Sequence, residues 1–440
     1  MADNNQLLQA PRGTYDALPE EQKYWRFIKK KFNKRCENFN FSRIDTPFFE
    51  YANLFTRSIG ETSDIVSKEM FYLAKRGEGE PDLVLRPEGT AGIVRAYIEH
   101  GMQNLPKPVK LYYFGPMFRY SRPQSGRFRQ FFQLGFEIFG EDDPCSDVLA
   151  ILLSFSILKD LKLTSNIILE INSLGCKICQ KDIRKTLTSY FNQYKEYLCP
   201  ECFSRLAENP LRILDCKQQR CQSLVKSGPQ IVDHLCQDCK EHLQKVLEGL
   251  DELGITYDLN PSLVRGLDYY TRTVFEFRDK ADETRQSSLG GGGRYDNLVE
   301  QYGGPATPAV GFAAGVERII SKLKEYQVKI PQVKKLDVFL IQIGDKAKKK
   351  VITLARDLTD QGFSFNCCLG KDSLKSQLRS ADKFGATIAL IIGQREALDD
   401  SVILRNMLTS SQQTVKINKL ENILKKQLLK AKQASEQKNN

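Results

Sequence analysis

Histidine is scarce in this chain: only His100, His234 and His242 occur in 440 residues. Hydrolases of the Ser-His-Asp or Cys-His type take their base from histidine, so the scarcity argues against that chemistry. No GxxxxGK[ST] stretch is present, which argues against a P-loop nucleotide site. Apolar runs stay short of the ~18 residues that a membrane-spanning helix needs. The opening residues, MADNNQLLQAPRGTYD, have neither the apolar centre of a secretory signal nor the arginine-rich, acid-poor look of a transit peptide. A cytoplasmic protein is the expectation.

What is present is ordinary in bulk, with 41% hydrophobic and 27% charged residues, as in soluble globular proteins. A chain of 440 residues can bury a large core and is expected to hold two or three domains. Lys and Arg outnumber Asp and Glu by 65 to 54, a net charge of +11. Two readings of that excess stay open: a polyanionic partner, or a lysine-rich soluble surface.

Trp25, Ile28 and Phe32 recur at helical spacing within 19–39, which predicts an early helix. FSRIDTPFFE reads as a strand interrupted by Pro47. LRPEGTAGIVRAYIEHG predicts a turn and a helix start, and VKLYYFGPMFRY with RQFFQLGFEIFG predicts an antiparallel hairpin closed by SRPQSGRF. LVRGLDYYTRTVFEF (263–277) reads mostly as a strand, GGGGRYD as a flexible turn, and AVGFAAGVERIISKL as a strand followed by a helix. After a linker at 328–335, strands alternate with helices as in a small parallel or mixed α/β sheet. The residues 425–440 contain five lysines and predict a fraying basic helix.

Arginine gathers beside glycine in three places: Arg119, Arg122, Arg127 and Arg129 in the hairpin, Arg265, and Arg318. A guanidinium is planar, permanently charged and bidentate, which suits phosphate. Singly, each arginine reads more simply as a surface ion pair; three such segments in apolar strand sequence do not. Gln133 and Glu137, four residues apart, share one face of a strand. Glu88 stands where a carboxylate would cap a helix, so capping and function are both open for it.

The strand–loop–strand at 110–139, with its FR and downstream arginine, resembles motif 2 of the class II aminoacyl-tRNA synthetases. GFAAGVERI resembles their motif 3, and Pro47 the motif 1 proline. LRPEGTAG, LVRGLDYYTRTVFE and GGGGRYD together resemble the histidyl-tRNA synthetase family, from PRGTYDALP onward through nearly the whole chain. The resemblance implies an α+β fold: an antiparallel class II sheet with helices over 1–327, an inserted helical segment at about 172–255, an anticodon-binding α/β domain at 336–425, and a basic tail at 426–440. It implies ATP with Mg²⁺, L-histidine and tRNA(His) as ligands, and a homodimer.

By the same resemblance, Arg265 and Arg119 carry catalysis, Arg265 meeting the substrate carboxylate and the α-phosphate. Glu88, Gly89, Thr90, Arg119, Gln133, Glu137, Arg265, Tyr269 and Tyr270 would hold histidine, Glu137 taking the imidazole N–H. Arg119, Arg127 and Arg318 would bind ATP. Gln124 and Arg129 are candidates for the tRNA acceptor end. The rivals are a non-catalytic paralogue, such as the regulatory subunit of ATP phosphoribosyltransferase, and an RNA-binding synthetase-like module. Arg119, Arg265, Arg318 and the C-terminal domain argue against the paralogue.

Eight cysteines fall in four close pairs: Cys176 and Cys179, Cys199 and Cys202, Cys216 and Cys221, Cys236 and Cys239. In a cytosolic chain this spacing points to thiolate ligands of structural Zn²⁺. A set of reduced or redox thiols is the alternative, and which cysteines pair stays open.

Overall fold

Bulky apolar residues along both arms hold Val109–Phe118 and Gln130–Phe139 in one antiparallel hairpin, with a register unbroken from Val109 opposite Phe139 to Phe118 opposite Gln130. The computed structural model describes residues 8–60, 63, 65–75, 77–122, 126–281, 288–331, 336–370 and 373–437. The chain divides into two units, Met1–Pro331 and Gln332–Asn440.

In the first unit the hairpin lies within an eight-stranded sheet. The spatial order is Ser42–Arg43, Val109–Phe118, Gln130–Phe139, Ala309–Gly315, Ser288–Arg294, Thr271–Asp279, Ile167–Ser173, Tyr257–Leu259. Pairing is antiparallel throughout except at the two outer strands, which run parallel to their neighbours. The predicted early helix is Gln22–Asn38, and it buries Ile28, Phe32 and Cys36, four residues apart, against the sheet core.

Two expectations fail here for a physical reason. GGGGRYD is not a turn: Ser288–Arg294 is a central strand, bonded on both sides. Its glycines are needed because neighbours lie where side chains would go; a Cβ on Gly292 would stand 2.0 Å from the Gly311 carbonyl oxygen. Conversely, LVRGLDYYTRTVFEF is a strand only from Thr271, and residues 263–270 are irregular. Arg272, at φ 46°, holds the left-handed conformation at that junction, which an L side chain adopts only at a cost.

Arg294 ends the glycine strand wholly buried. Its Nε donates to Asp147 Oδ1 at 2.9 Å and its Nη2 to Ser146 Oγ at 2.6 Å, on the helix Pro144–Asp160. Asp147 Oδ2 also accepts from Thr273 Oγ1 at 2.8 Å and bonds His242 Nε2 at 2.6 Å. Arg272 Nη1 lies 3.0 Å from His242 Nδ1, and a guanidinium can only donate, so Nδ1 accepts and Nε2 carries the proton toward Asp147. Burial alone would raise the Asp147 carboxyl, but Arg294 and His242 outweigh it and hold it below the usual carboxylate range.

The inserted segment is helical, from Lys177–Gln193 to Gln237–Glu252. Val328 and Ile330, in the expected linker, pack against the first unit's core, and 332–335 lie outside the described residues. The second unit has a five-stranded mixed sheet in the order Phe365–Cys367, Val338–Gln342, Ile388–Ile392, Ser401–Asn406, Gln412–Lys416. The first three strands are parallel and the last two antiparallel. Val338–Gln342 and Ile388–Ile392 are buried along their whole length, as strands covered on both faces must be. The basic tail continues as the helix Leu420–Gln437, and 438–440 lie outside the described residues.

Arg294→Met would leave Asp147 buried without its guanidinium, and is expected to destabilise the first unit by about 3–5 kcal/mol. Urea unfolding should register this as a lower midpoint at unchanged slope.

Candidate active site

A cavity of about 300 Å³ opens over the centre of the large sheet. Its floor is shaped by the hairpin's return strand, where Glu137 and Gln133 point the same way. Glycine stands beside each of them: Gly311 opposite Glu137, and Gly115 and Gly315 opposite Gln133. A Cβ on Gly311 would lie 1.7 Å from Glu137 Oε2, so the carboxyl occupies space that only glycine leaves. Tyr113 fills the equivalent gap between Gly89 and Gly135, whose Cβ atoms would each fall 2.5 Å from its ring.

Glu137 is 1% exposed. Oε1 accepts from Thr90 Oγ1 at 2.8 Å and Oε2 from the Tyr295 hydroxyl at 2.5 Å. Burial pushes its carboxyl up to about 8 against the opposing pull of those two hydroxyls. Glu88 does cap its helix: Oε2 accepts from the Thr90 N–H and Oε1 from the Ala91 N–H, both at 2.7 Å, at the start of Thr90–Glu99. It lines the cavity as well. Tyr269 and Tyr270 complete this end, buried and 4.6 Å apart between ring centres.

Gln133 Oε1 and the Tyr113 hydroxyl are buried without a hydrogen-bond partner. Unpaired buried polar atoms are costly. Gln133 lines the cavity, so its oxygen is what a polar ligand would satisfy; Tyr113 stands behind the lining.

The other end is cationic. Arg119, Arg127, Arg265 and Arg318 all line the cavity. Arg265 pairs with Glu276 at 2.5 Å, and its guanidinium lies over Gly291, where a Cβ would meet Nη1 at 2.6 Å. Arg127 pairs with Glu69. Arg119 Nε donates to the Pro87 carbonyl at 2.8 Å, and Arg318 Nη1 to that of Ser288 at 2.7 Å. Burial lowers both Arg119 and Arg318 from the ordinary guanidinium value, and Arg127 adds repulsion to each. A multiply charged anion is the ligand that would reverse both effects.

Ten of the residues singled out in the sequence therefore meet in one cavity: Glu88, Thr90, Arg119, Arg127, Gln133, Glu137, Arg265, Tyr269, Tyr270 and Arg318. Gly89 acts from behind, by admitting Tyr113. Arg129 lies outside the cavity lining, its guanidinium 3.8 Å from the centre of the Tyr120 ring, and Gln124 falls outside the described residues.

The histidyl-tRNA synthetase family model matches residues 13–188 and 210–319, and an anticodon binding domain model matches 337–427. The chain belongs to the histidyl-tRNA synthetase family. It is 44% identical over 422 residues to a histidine–tRNA ligase of Dehalococcoides mccartyi, covering 96% of this chain and 100% of that protein. A histidine–tRNA ligase of Caldicellulosiruptor saccharolyticus is 44% identical over 423 residues, at 96% and 100% coverage. The crystal structure of the apo histidyl-tRNA synthetase of S. aureus superposes with a TM-score of 0.79 at 34% identity, over 95% of this chain and 100% of that one. Residues 189–209, which carry Cys199 and Cys202, fall outside the histidyl-tRNA synthetase match.

The eight paired cysteines form two groups outside the cavity. Cys176, Cys179, Cys236 and Cys239 make one, and Cys199, Cys202, Cys216 and Cys221 the other, with all Sγ atoms of a group within 4.8 Å of one another. None of the eight is in a disulfide. Sequence reasoning missed Tyr295, although it lies in GGGGRYD, and missed Tyr113, whose place is visible only once the glycines around it are seen. It also missed the contact of Arg212 with Asp268, at 2.9 Å, which ties the insertion to the segment 263–270.

Gly311→Ala is expected to destabilise the protein by about 1–3 kcal/mol, the range for overpacking a filled site. Glu137 is the group that must move, so loss of cavity-ligand binding should exceed what the stability loss alone accounts for. Urea unfolding and ligand titration on the same preparation separate the two effects.

Proposed function

We propose that this chain activates L-histidine with magnesium-bound ATP and transfers the histidyl group to the 3′ end of tRNA(His). The observation that carries the reading is one cavity with a buried carboxyl and an unpaired amide oxygen at one end and four guanidinium groups at the other. Glu137 would accept the imidazole N–H between Tyr269 and Tyr270. Glu88, Thr90 and the unpaired Gln133 Oε1 would take the α-amino group, and Arg119 and Arg265 the carboxylate.

A histidine carboxylate oxygen attacks the α-phosphorus of ATP, and pyrophosphate leaves. The nucleophile is already ionised, so no general base is needed; what remains is positioning and neutralisation of charge on the phosphoryl oxygens. Arg265 and Arg119 meet the α-phosphate, and Arg127 and Arg318 the leaving group. A reaction of this type suits a chain with three histidines. In the second step the 3′-hydroxyl of the tRNA attacks the adenylate carbonyl and AMP leaves. Arg129 and Gln124, in the hairpin loop, are assigned to the acceptor end, and the C-terminal α/β unit to the anticodon.

A homodimer follows from the class, and a cytoplasmic location from the role in translation; among the described residues, no helix is long and apolar enough to cross a membrane. The regulatory-subunit alternative is less favoured. An ATP phosphoribosyltransferase regulatory subunit/histidyl-tRNA synthetase from Bacillus halodurans superposes with a TM-score of 0.61, but at 22% identity that speaks only to the fold. We assign structural zinc to the two cysteine groups. Sulfurs bound to tetrahedral Zn²⁺ at about 2.3 Å lie about 3.8 Å apart. Here Cys176 Sγ is 3.6 Å from Cys179 Sγ and 4.0 Å from Cys236 Sγ, and Cys199 Sγ is 3.8 Å from Cys216 Sγ.

ATP–pyrophosphate exchange with each of the twenty amino acids tests the activity. Exchange should require histidine, and Arg265→Ala should slow it by roughly three orders of magnitude, as loss of a transition-state arginine does. Exchange within tenfold of wild type would remove Arg265 from this role.

Glu137 generates a pH dependence. A carboxyl raised to about 8 from 4.5 favours its protonated form in the folded protein, so its stabilising contribution is complete below 4.5 and lost as pH rises through about 8. Accepting an imidazole N–H needs the ionised form. The histidine KM should therefore fall about fivefold as pH rises from 7 to 8 and about twofold more before levelling off above about 9, while the ATP KM stays flat. Glu137→Gln should abolish that slope and cost about 2–4 kcal/mol in kcat/KM for histidine. A slope that survives the substitution would place imidazole recognition elsewhere.

A further inference from the structure

The segment Leu263–Tyr270 carries Arg265, Tyr269 and Tyr270 yet has no regular secondary structure of its own. Its geometry depends on what grips it, and much of that grip comes from the cysteine-rich insertion. Arg212 Nη2 donates to Asp268 Oδ1 at 2.9 Å and to the Gly266 carbonyl at 3.1 Å. Asn209 Nδ2 donates to the same Asp268 oxygen at 3.1 Å. A second grip holds the segment's end: the Arg272 N–H donates to Gly175 O at 2.9 Å, and Gln180 Nε2 to Tyr270 O at 3.0 Å.

Each grip adjoins a cysteine group. Gly175 and Gln180 flank Cys176 and Cys179. Asn209 and Arg212 lie between Cys202 and Cys216, two members of the other group. A metal joining Cys202 to Cys216 closes the intervening chain into a short loop and removes most of its freedom, so the side chains it carries are held ready to bond. Backbone N–H groups already point at the sulfurs, Cys199 N to Cys221 Sγ at 3.3 Å and Cys202 N to Cys199 Sγ at 3.4 Å. Such bonds strengthen when the sulfur is a metal-bound thiolate.

We infer that the group Cys199, Cys202, Cys216 and Cys221 binds a zinc ion that, through Arg212 and Asp268, positions the histidine-binding segment, so that metal occupancy sets histidine affinity. The inference rests on the zinc assignment above, and adds that the metal acts on substrate binding and not only on the insertion's stability. Arg212 and Asp268 are positioning residues, since neither lines the cavity. Half of this ligand set lies in the stretch that the family match leaves uncovered.

The test uses the full-length protein, with zinc counted by elemental analysis and L-histidine affinity measured by calorimetry. Wild type should hold two zinc ions per chain, one for each cysteine group. Arg212→Ala should keep both and weaken histidine binding about tenfold, with the ATP KM within twofold of wild type. Cys199→Ser with Cys202→Ser should lose one zinc and weaken histidine to the same extent. Combining the cysteine and Arg212 substitutions should add nothing, since both act along one route. Should the cysteine variant fail to fold, reversible chelation of wild type and of Arg212→Ala gives the same comparison: stripping should weaken histidine binding in wild type far more than in the variant. An Arg212→Ala protein with both zinc ions and wild-type histidine affinity overturns the coupling and leaves the zinc assignment standing. Additive losses overturn the route through Arg212. Metal-free wild type with all eight thiols titrating and full histidine affinity overturns the zinc assignment itself.

Discussion

A carboxyl group buried at the middle of a sheet is the constraint around which the rest of this site is arranged. Glu137 is almost fully buried on a strand whose backbone groups are already engaged on both sides. The side chains that satisfy it come from far apart in the chain: Thr90 from a helix N-terminus and Tyr295 just past the end of the glycine strand. The glycine opposite it, the tyrosines around it and the helix cap beside it surround one carboxyl group fitted into a filled β-sheet. The cost of that burial is visible as a proton held to about 8. A ligand that donates a hydrogen bond there recovers part of that cost, which makes the buried acid a selector for donors.

Electrostatics divides the cleft. Carboxyl groups and phenols crowd one end and guanidinium groups the other, so a zwitterionic amino acid and a polyphosphate each have one favourable place to lie. Internal partners keep the free cleft from carrying naked charge: Glu276 on Arg265 and Glu69 on Arg127. Asp147, Arg294, His242 and Thr273 form a second buried polar group, and none of the four lines the cavity. Arg294 and Thr273 belong to neighbouring central strands, so the group fixes those strands against the helix Pro144–Asp160.

Much of this was legible in the sequence where local rules decide. The hairpin, the early helix and the alternating elements of the second unit follow from periodicity. The arginines were recognisable because guanidinium groups embedded in apolar strands have few structural explanations. Where local rules failed, a neighbour distant in sequence had taken over. Four glycines read as a turn until Arg265 and the Gly311 carbonyl occupy the space above and beside them. The run from Leu263 read as a strand, but its first half is drawn away by Asp268 toward Arg212, 56 residues earlier. Cysteine pairing was beyond reach because the outer CxxC units join each other across 60 residues, Cys176 to Cys236, leaving the inner four to themselves.

The glycine floor also bears on how this pocket can change over generations. A residue without a side chain can be mutated only to something larger, so any single substitution at Gly115, Gly291, Gly311 or Gly315 adds atoms to the cleft or its immediate support. Drift at these positions can abolish substrate binding, but it cannot enlarge the cleft to admit a bulkier amino acid. Acceptance of a larger substrate would have to begin at the aromatic wall, where Tyr269, Tyr270 and Tyr295 have volume to give up. Of these, Tyr295 also bears on the protonation of Glu137, because its hydroxyl donates to the carboxyl and opposes the upward push of burial. A pocket enlarged at Tyr295 and an altered pH response are thus reached by the same substitution, and there selection cannot obtain one without the other.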